Sequence, residues 1–97
     1  MLSPVDRRRY SHAKENGEIV SFTVQYETLV GDEWRAVVRY DSAHGVAHKD
    51  VLDTKGREEK HLLGVGSLKE AIAIADADIQ QNWERYKARF LKQGRRR

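Results

Sequence analysis

Between positions 39 and 50 the chain reads Arg39-Tyr40-Asp41-Ser42-Ala43-His44-Gly45-Val46-Ala47-His48-Lys49-Asp50. This stretch gathers the residue types that acid–base and phosphate chemistry require. Metal-free cleavage of a phosphodiester needs a base for the ribose 2′-hydroxyl, an acid for the leaving oxygen and cations for the charge that builds on phosphorus. Histidine ionises near neutrality and suits the first two roles, and arginine or lysine suits the third. His44 and His48 are therefore the candidate acid–base pair, Arg39 and Lys49 the candidate phosphate ligands, and Asp41 the group that orients a histidine. Tyr40 would add a hydrogen bond if its hydroxyl reaches the rim.

Two other readings use the same residues. Asp41, His44, His48 and Asp50 are all acceptable metal ligands, but Gly45 and the flanking strand patterns disfavour a helix here. In extended chain the two histidines stand roughly 13 Å apart, so neither a metal nor another cofactor is expected. Alternatively, Asp41 and His44 cap a turn through side-chain-to-backbone hydrogen bonds, and His48 and Lys49 are ordinary strand residues. The sequence leaves the catalytic and the structural alternatives both open, and with them the question whether the protein is an enzyme. His12 and His61 lie outside the cluster and read as surface or packing residues.

The elements that must position the cluster follow from hydrophobic periodicity. From Ile19 to Leu29, Val20, Phe22, Val24 and Tyr26 alternate with Ser21, Thr23, Gln25 and Glu27, the pattern of a half-buried strand. Val30-Gly31-Asp32-Glu33 is a turn. Trp34, Ala36, Val38 and Tyr40 then alternate with Arg35, Val37, Arg39 and Asp41 as a second strand, and so short a connection implies an antiparallel hairpin. Val46–Asp53 predicts a third strand of mixed polarity, with Val46, His48, Asp50 and Leu52 on one face and Ala47, Lys49, Val51 and Asp53 on the other. Thr54–Arg57 is a turn, and Glu59–Val65 is a short fourth strand.

Ser67-Leu68-Lys69-Glu70 has the spacing of a helix capping box. Leu68, Ile72, Ala75, Ile79, Trp83, Tyr86 and Phe90 then step by threes and fours, one stripe of a helix ending near Leu91. The expected architecture is α+β: a three- or four-stranded antiparallel sheet with one long C-terminal helix on one face. The other face stays open for Arg39, Asp41 and either His48 or Lys49. A helix of roughly 36 Å would outrun strands of roughly 20 Å. On that comparison Trp83, Tyr86 and Phe90 should overhang and support a homo-oligomer through the helix.

With 97 residues, 39% hydrophobic and 34% charged, the chain suffices for one thin two-layer domain. The expected organisation is an irregular basic leader over 1–16, the α+β domain over 17–93 and a basic tail over 94–97. Lys and Arg exceed Asp and Glu by three in residues 1–14 and by six in 83–97, while residues 15–82 carry a net −6. Basic ends around an acidic body suit phosphate-bearing partners, RNA among them. No apolar run approaches a membrane span, and Arg7–Arg9 are followed by no apolar stretch, so neither membrane insertion nor a secretory signal is expected. The absence of cysteine excludes disulfides and thiolate zinc sites and fits a cytoplasmic protein.

Arg39-Tyr40-Asp41-x-x-His44, followed by His48-Lys49, resembles the R-Y-D-N-x-x-H … H-K pattern of TumE-type toxin components of prokaryotic toxin–antitoxin systems and of related small uncharacterised domains. The resemblance covers about a third of the chain, with Ser42 in place of the motif's asparagine. It implies a small antiparallel sheet, an intracellular toxin acting on RNA or translation, and neutralisation by an antitoxin protein. Against it stands a reading of the chain as a non-catalytic protein- or nucleic-acid-interaction module in which the histidine cluster is structural.

Overall fold

The computed structural model describes residues 1–43, 46–55 and 57–94. Five strands, β1 (Asp6–Glu15), β2 (Glu18–Val30), β3 (Glu33–Ala43), β4 (Val46–Leu52) and β5 (Glu58–Leu62), precede the helix α1 (Leu68–Gly94). The strands form one antiparallel sheet in the order in which the chain makes them, β1-β2-β3-β4-β5. The helix packs against β2, β3 and β4 on one face. The expected α+β class and single helical cover are therefore observed, on a sheet with five strands rather than three or four.

The additional strand is β1, in the segment expected to be an irregular leader. Asn16 (φ 51°) and Gly17 (φ 80°) both take the left-handed conformation between Glu15 and Glu18, which pair across the turn. Two such residues in succession make the tight turn whose twist matches an antiparallel hairpin, and Asn-Gly is its preferred sequence. At the next hairpin Val30 pairs with Glu33, and Gly31 (φ 64°) alone supplies the positive φ. Asp6 then anchors β1. Its carboxylate, 1% exposed, accepts from Ser3 Oγ (2.6 Å), Tyr26 Oη (2.6 Å) and Lys87 Nζ (3.0 Å).

Ser67 caps α1 as its spacing predicts, its Oγ accepting from the Glu70 backbone N–H at 3.1 Å. Ala71, Ala75 and Ile79 are fully buried against the sheet, and Phe90 is 2% exposed. The helix does not overhang. At 27 residues it is about 40 Å long, and β2, with 13 residues, runs about 43 Å beneath it. Trp83 is half-buried and meets the Tyr26 ring edge-on at 6.0 Å, and Tyr86 is held by hydrogen bonds. Of the three aromatic residues expected to overhang, Phe90 is thus covered by the chain itself and Trp83 and Tyr86 are covered in part.

A bulge in β3 alters the expected division of faces. Tyr26 pairs with Val38 and Glu27 with Ala36, which leaves Val37 as the extra residue, and both Val37 and Val38 are buried. Beyond the bulge the alternation is inverted. Trp34, expected to share the apolar face with Tyr40, lies instead on the helix-free face, where the Arg7 guanidinium stacks on it at 4.0 Å.

Candidate functional site

Register decides which of the sequence-selected residues can act together. Across the β3–β4 ladder Arg39 pairs with Asp50, Tyr40 with Lys49 and Asp41 with His48. Directly opposed residues share a face and successive residues alternate. Arg39, Asp41 and His48 therefore lie on the helix-free face, and Tyr40 and Lys49 lie beneath α1. His44 falls outside the described residues.

The residues under the helix form a polar rivet. Tyr40, 1% exposed, donates its hydroxyl hydrogen bond to Asp78 Oδ2. Tyr86 donates to the same oxygen at 2.6 Å, and Asn82 donates to Asp78 Oδ1 at 2.8 Å. The Lys49 ammonium lies 3.2 Å from Asp78 Oδ2, donates to the Tyr86 hydroxyl and sits 4.8 Å from the centre of the Tyr86 ring. Burial, reinforced by repulsion from Arg89, lowers the Lys49 pKa. Burial and the bond to Asp78 push that of Tyr86 well above its ordinary value. Tyr40 and Lys49 thus hold α1 to β3 and β4. The sequence reading placed Tyr40 in a catalytic role and Lys49 on a phosphate. The geometry directs both toward Asp78, because one residue of displacement along a strand reverses the face.

On the helix-free face His48 Nε2 approaches Asp41 Oδ1 at 3.8 Å, an ion pair only when the imidazole is protonated. His48 Nδ1 and Asp41 Oδ1 are buried and have no hydrogen-bond partner among the described residues. Next to them Asp50, 2% exposed, faces Lys60 Nζ of β5 at 3.1 Å. The bond to Asp50 is the largest cause of a raised Lys60 pKa, and Asp41 adds to it through space.

The same face carries residues that the sequence reading did not select. Arg7 Nε donates to Glu27 Oε1 at 2.6 Å, Gln25 Nε2 donates to Glu27 Oε2, and Arg39 Nε donates to Gln25 Oε1 at 2.8 Å. Arg9 adds a weaker contact to Glu27 at 3.6 Å. Glu27 is 5% exposed, so the carboxylate lies beneath the cations it organises. The available signal was parity: residues 25, 27 and 39 all fall on the non-apolar side of their strands, and a third strand pairing with β2 brings Arg7 and Arg9 to them. A shallow depression of about 350 Å³ adjoins this chain, with Ser11, Thr23, Asp41 and Ser42 among its lining residues. It shares Ser11 and Thr23 with a neighbouring depression of about 240 Å³, bounded by Arg9 and Gln25.

Among the described residues no group of three or more His, Cys, Asp or Glu side chains is arranged to hold a metal ion. Nor is any helix among them long and apolar enough to cross a membrane. Fold and surface together define a small α+β domain with a helix on one side of its sheet and a polar, arginine-bearing platform on the other. The chain belongs to the DUF7718 family, a domain of unknown function, whose model matches residues 1–96. No curated protein and no solved structure matches it.

Proposed function

We propose that the protein is a non-catalytic nucleic-acid-interaction module that receives single-stranded RNA across the helix-free face of the sheet. The observation that carries this reading is the hydrogen-bonded chain Arg7–Glu27–Gln25–Arg39. Each arginine is fixed through Nε, and its Nη groups have no hydrogen-bond partner among the described residues. A guanidinium held in this way offers a preorganised fork to a phosphate, which lysine does not. Arg7 and Arg39 are two strands and two residues apart, roughly 12 Å between Cα atoms from the sheet spacings. The depression next to Arg39, with Ser11, Thr23 and the Asp41 carboxylate among its lining residues, offers acceptors for a ribose 2′-hydroxyl, the group that distinguishes RNA from DNA.

The test is fluorescence anisotropy with a labelled single-stranded RNA 12-mer of mixed sequence, from 50 to 200 mM salt. Arg39→Ala should weaken binding and reduce the magnitude of the log–log salt slope by about 0.7, one phosphate contact on a single strand. Unchanged affinity and slope, with circular dichroism showing an intact fold, would remove the arginine chain from the argument.

A second reading rests on the Asp41–His48 approach beside Arg39. It is the part of the resemblance to TumE-type toxins that falls on one face of the sheet. Here His48, together with His44, acts on bound RNA by metal-independent acid–base chemistry. RNA cleavage by the wild type that disappears in both His44→Ala and His48→Ala would replace the non-catalytic reading. Equal behaviour of all three proteins would eliminate the catalytic one.

A further inference from the structure

The edge of the sheet formed by β1 has a backbone as well as a charge. Among the described residues β1 pairs with β2 alone, and of its ten residues only Asp6 is fully buried. In an antiparallel ladder each residue directs its N–H and C=O to the same side, and successive residues alternate. The Val5 carbonyl accepts from Leu29 N–H, so the odd-numbered positions face β2 and the even-numbered ones face outward. At Asp6 the outward groups are already paired: its N–H donates to the Ser3 carbonyl, and its carbonyl accepts from Leu2 and Ser3. Arg8, Tyr10 and His12 come next, and their outward groups have no backbone partner among the described residues.

The side chains of these same three residues form a column on the helix-side surface of the edge. Arg8 lies 5.9 Å from the centre of the Tyr10 ring, and the Tyr10 and His12 rings are 5.2 Å apart. Arg8 pairs with Asp76 at 3.0 Å, but both side chains are substantially exposed, so another carboxylate can take that place. Like charge on an edge strand discourages pairing with an identical copy, and β1 carries Arg7, Arg8, Arg9 and Lys14 against only Asp6 and Glu15. The same charge attracts a strand of opposite sign, which makes the edge selective rather than merely protected.

We infer that the Arg8–His12 edge binds an extended acidic peptide segment as a sixth strand, with main-chain hydrogen bonds at Arg8, Tyr10 and His12 and carboxylates opposite Arg8 and His12. Main-chain pairing supplies affinity and the alternating side chains supply specificity, as in other strand additions. The probe is a fluorescein-labelled decapeptide of alternating Glu and Thr, with a Glu/Pro decapeptide of equal charge as control. The Glu/Thr peptide should bind at least about tenfold more tightly than the Glu/Pro peptide, because proline cannot donate to a ladder. By amide exchange, protection should rise at Arg8, Tyr10 and His12 and stay unchanged at Arg9 and Ser11, which already face β2. Tyr10→Pro removes the central outward donor and should abolish the preference for Glu/Thr. If that variant does not fold, His12→Glu carries the test, and its binding should shift toward a Lys/Thr decapeptide. Equal affinity for the two acidic peptides, no binding of either, or protection away from the three even-numbered positions would overturn the inference.

Discussion

Replacing Asp6 by asparagine removes the charge that joins the first strand to the last turns of the helix. The carboxylate is 1% exposed, and it accepts from the buried Tyr26 hydroxyl, from Ser3 and from the Lys87 ammonium. An asparagine keeps one acceptor oxygen but turns an NH₂ toward a donor. Breaking a buried pair costs about 3–5 kcal/mol, and leaving a buried hydroxyl unpaired costs about 1–3 kcal/mol. Lys87, 28% exposed, can turn to water, so the lower end applies, a loss of about 3 kcal/mol. For a domain of this size that lowers the melting temperature by about 15 °C. The pH dependence gives a second readout. Burial raises the Asp6 pKa, but the hydrogen bonds from Ser3, Tyr26 and Lys87 outweigh it and hold the carboxyl below its ordinary 3.8. A depressed acid contributes its stability above the unfolded-state value and loses it as pH falls through the folded one. Urea unfolding of the wild type and Asp6→Asn should therefore differ fully at pH 7 and converge below pH 3.8. A difference under about 1 kcal/mol at pH 7, or one that persists unchanged into strong acid, would refute the reasoning.

Gly17→Ala should cost about 1–2 kcal/mol in urea unfolding, through its φ of 80° alone, since nothing lies within 4 Å of the added methyl group. Tyr86→Phe should cost about 1 kcal/mol, because it removes one of the donors on Asp78 Oδ2 and the acceptor for Lys49. The same variant should leave RNA affinity unchanged in the anisotropy assay, since Tyr86 lies on the far side of the sheet from Arg39.

The legible parts of the fold were those in which apolar residues carry the period. Val20 to Tyr26 and Leu68 to Phe90 sort onto faces by hydrophobicity, and both elements formed where expected. β1 was hidden because its inward-facing positions are Asp6, Arg8, Tyr10 and His12, whose burial is slight or satisfied by hydrogen bonds rather than by apolar contact. Asn16-Gly17 was the signal that could have revealed it, a hairpin dipeptide directly before a well-defined strand. In the site, alternation sorted Arg39 and Asp41 from Tyr40 correctly. The bulge at Val37 could not be read, since an inserted residue changes parity without changing composition. The role of Lys49 was hidden for another reason: its partner Asp78 lies 29 residues away on the helix, beyond any local pattern.

The bond between Lys87 and Asp6 joins residues 81 positions apart. Every strand pairing in the sheet, by contrast, links neighbours in the chain. A chain folding by successive hairpins gains its local contacts early, and the closure entropy of the longest loop is met last. The apolar face of β2 and β3 must then wait for α1, while Asp6 and Lys87 meet at the close. Such a late contact governs departure from the native state more than arrival at it. On that order of events the clasp between β1 and α1 would act as a kinetic latch, and Lys87→Ala should hasten unfolding in stopped-flow urea jumps while leaving the rate of folding nearly intact.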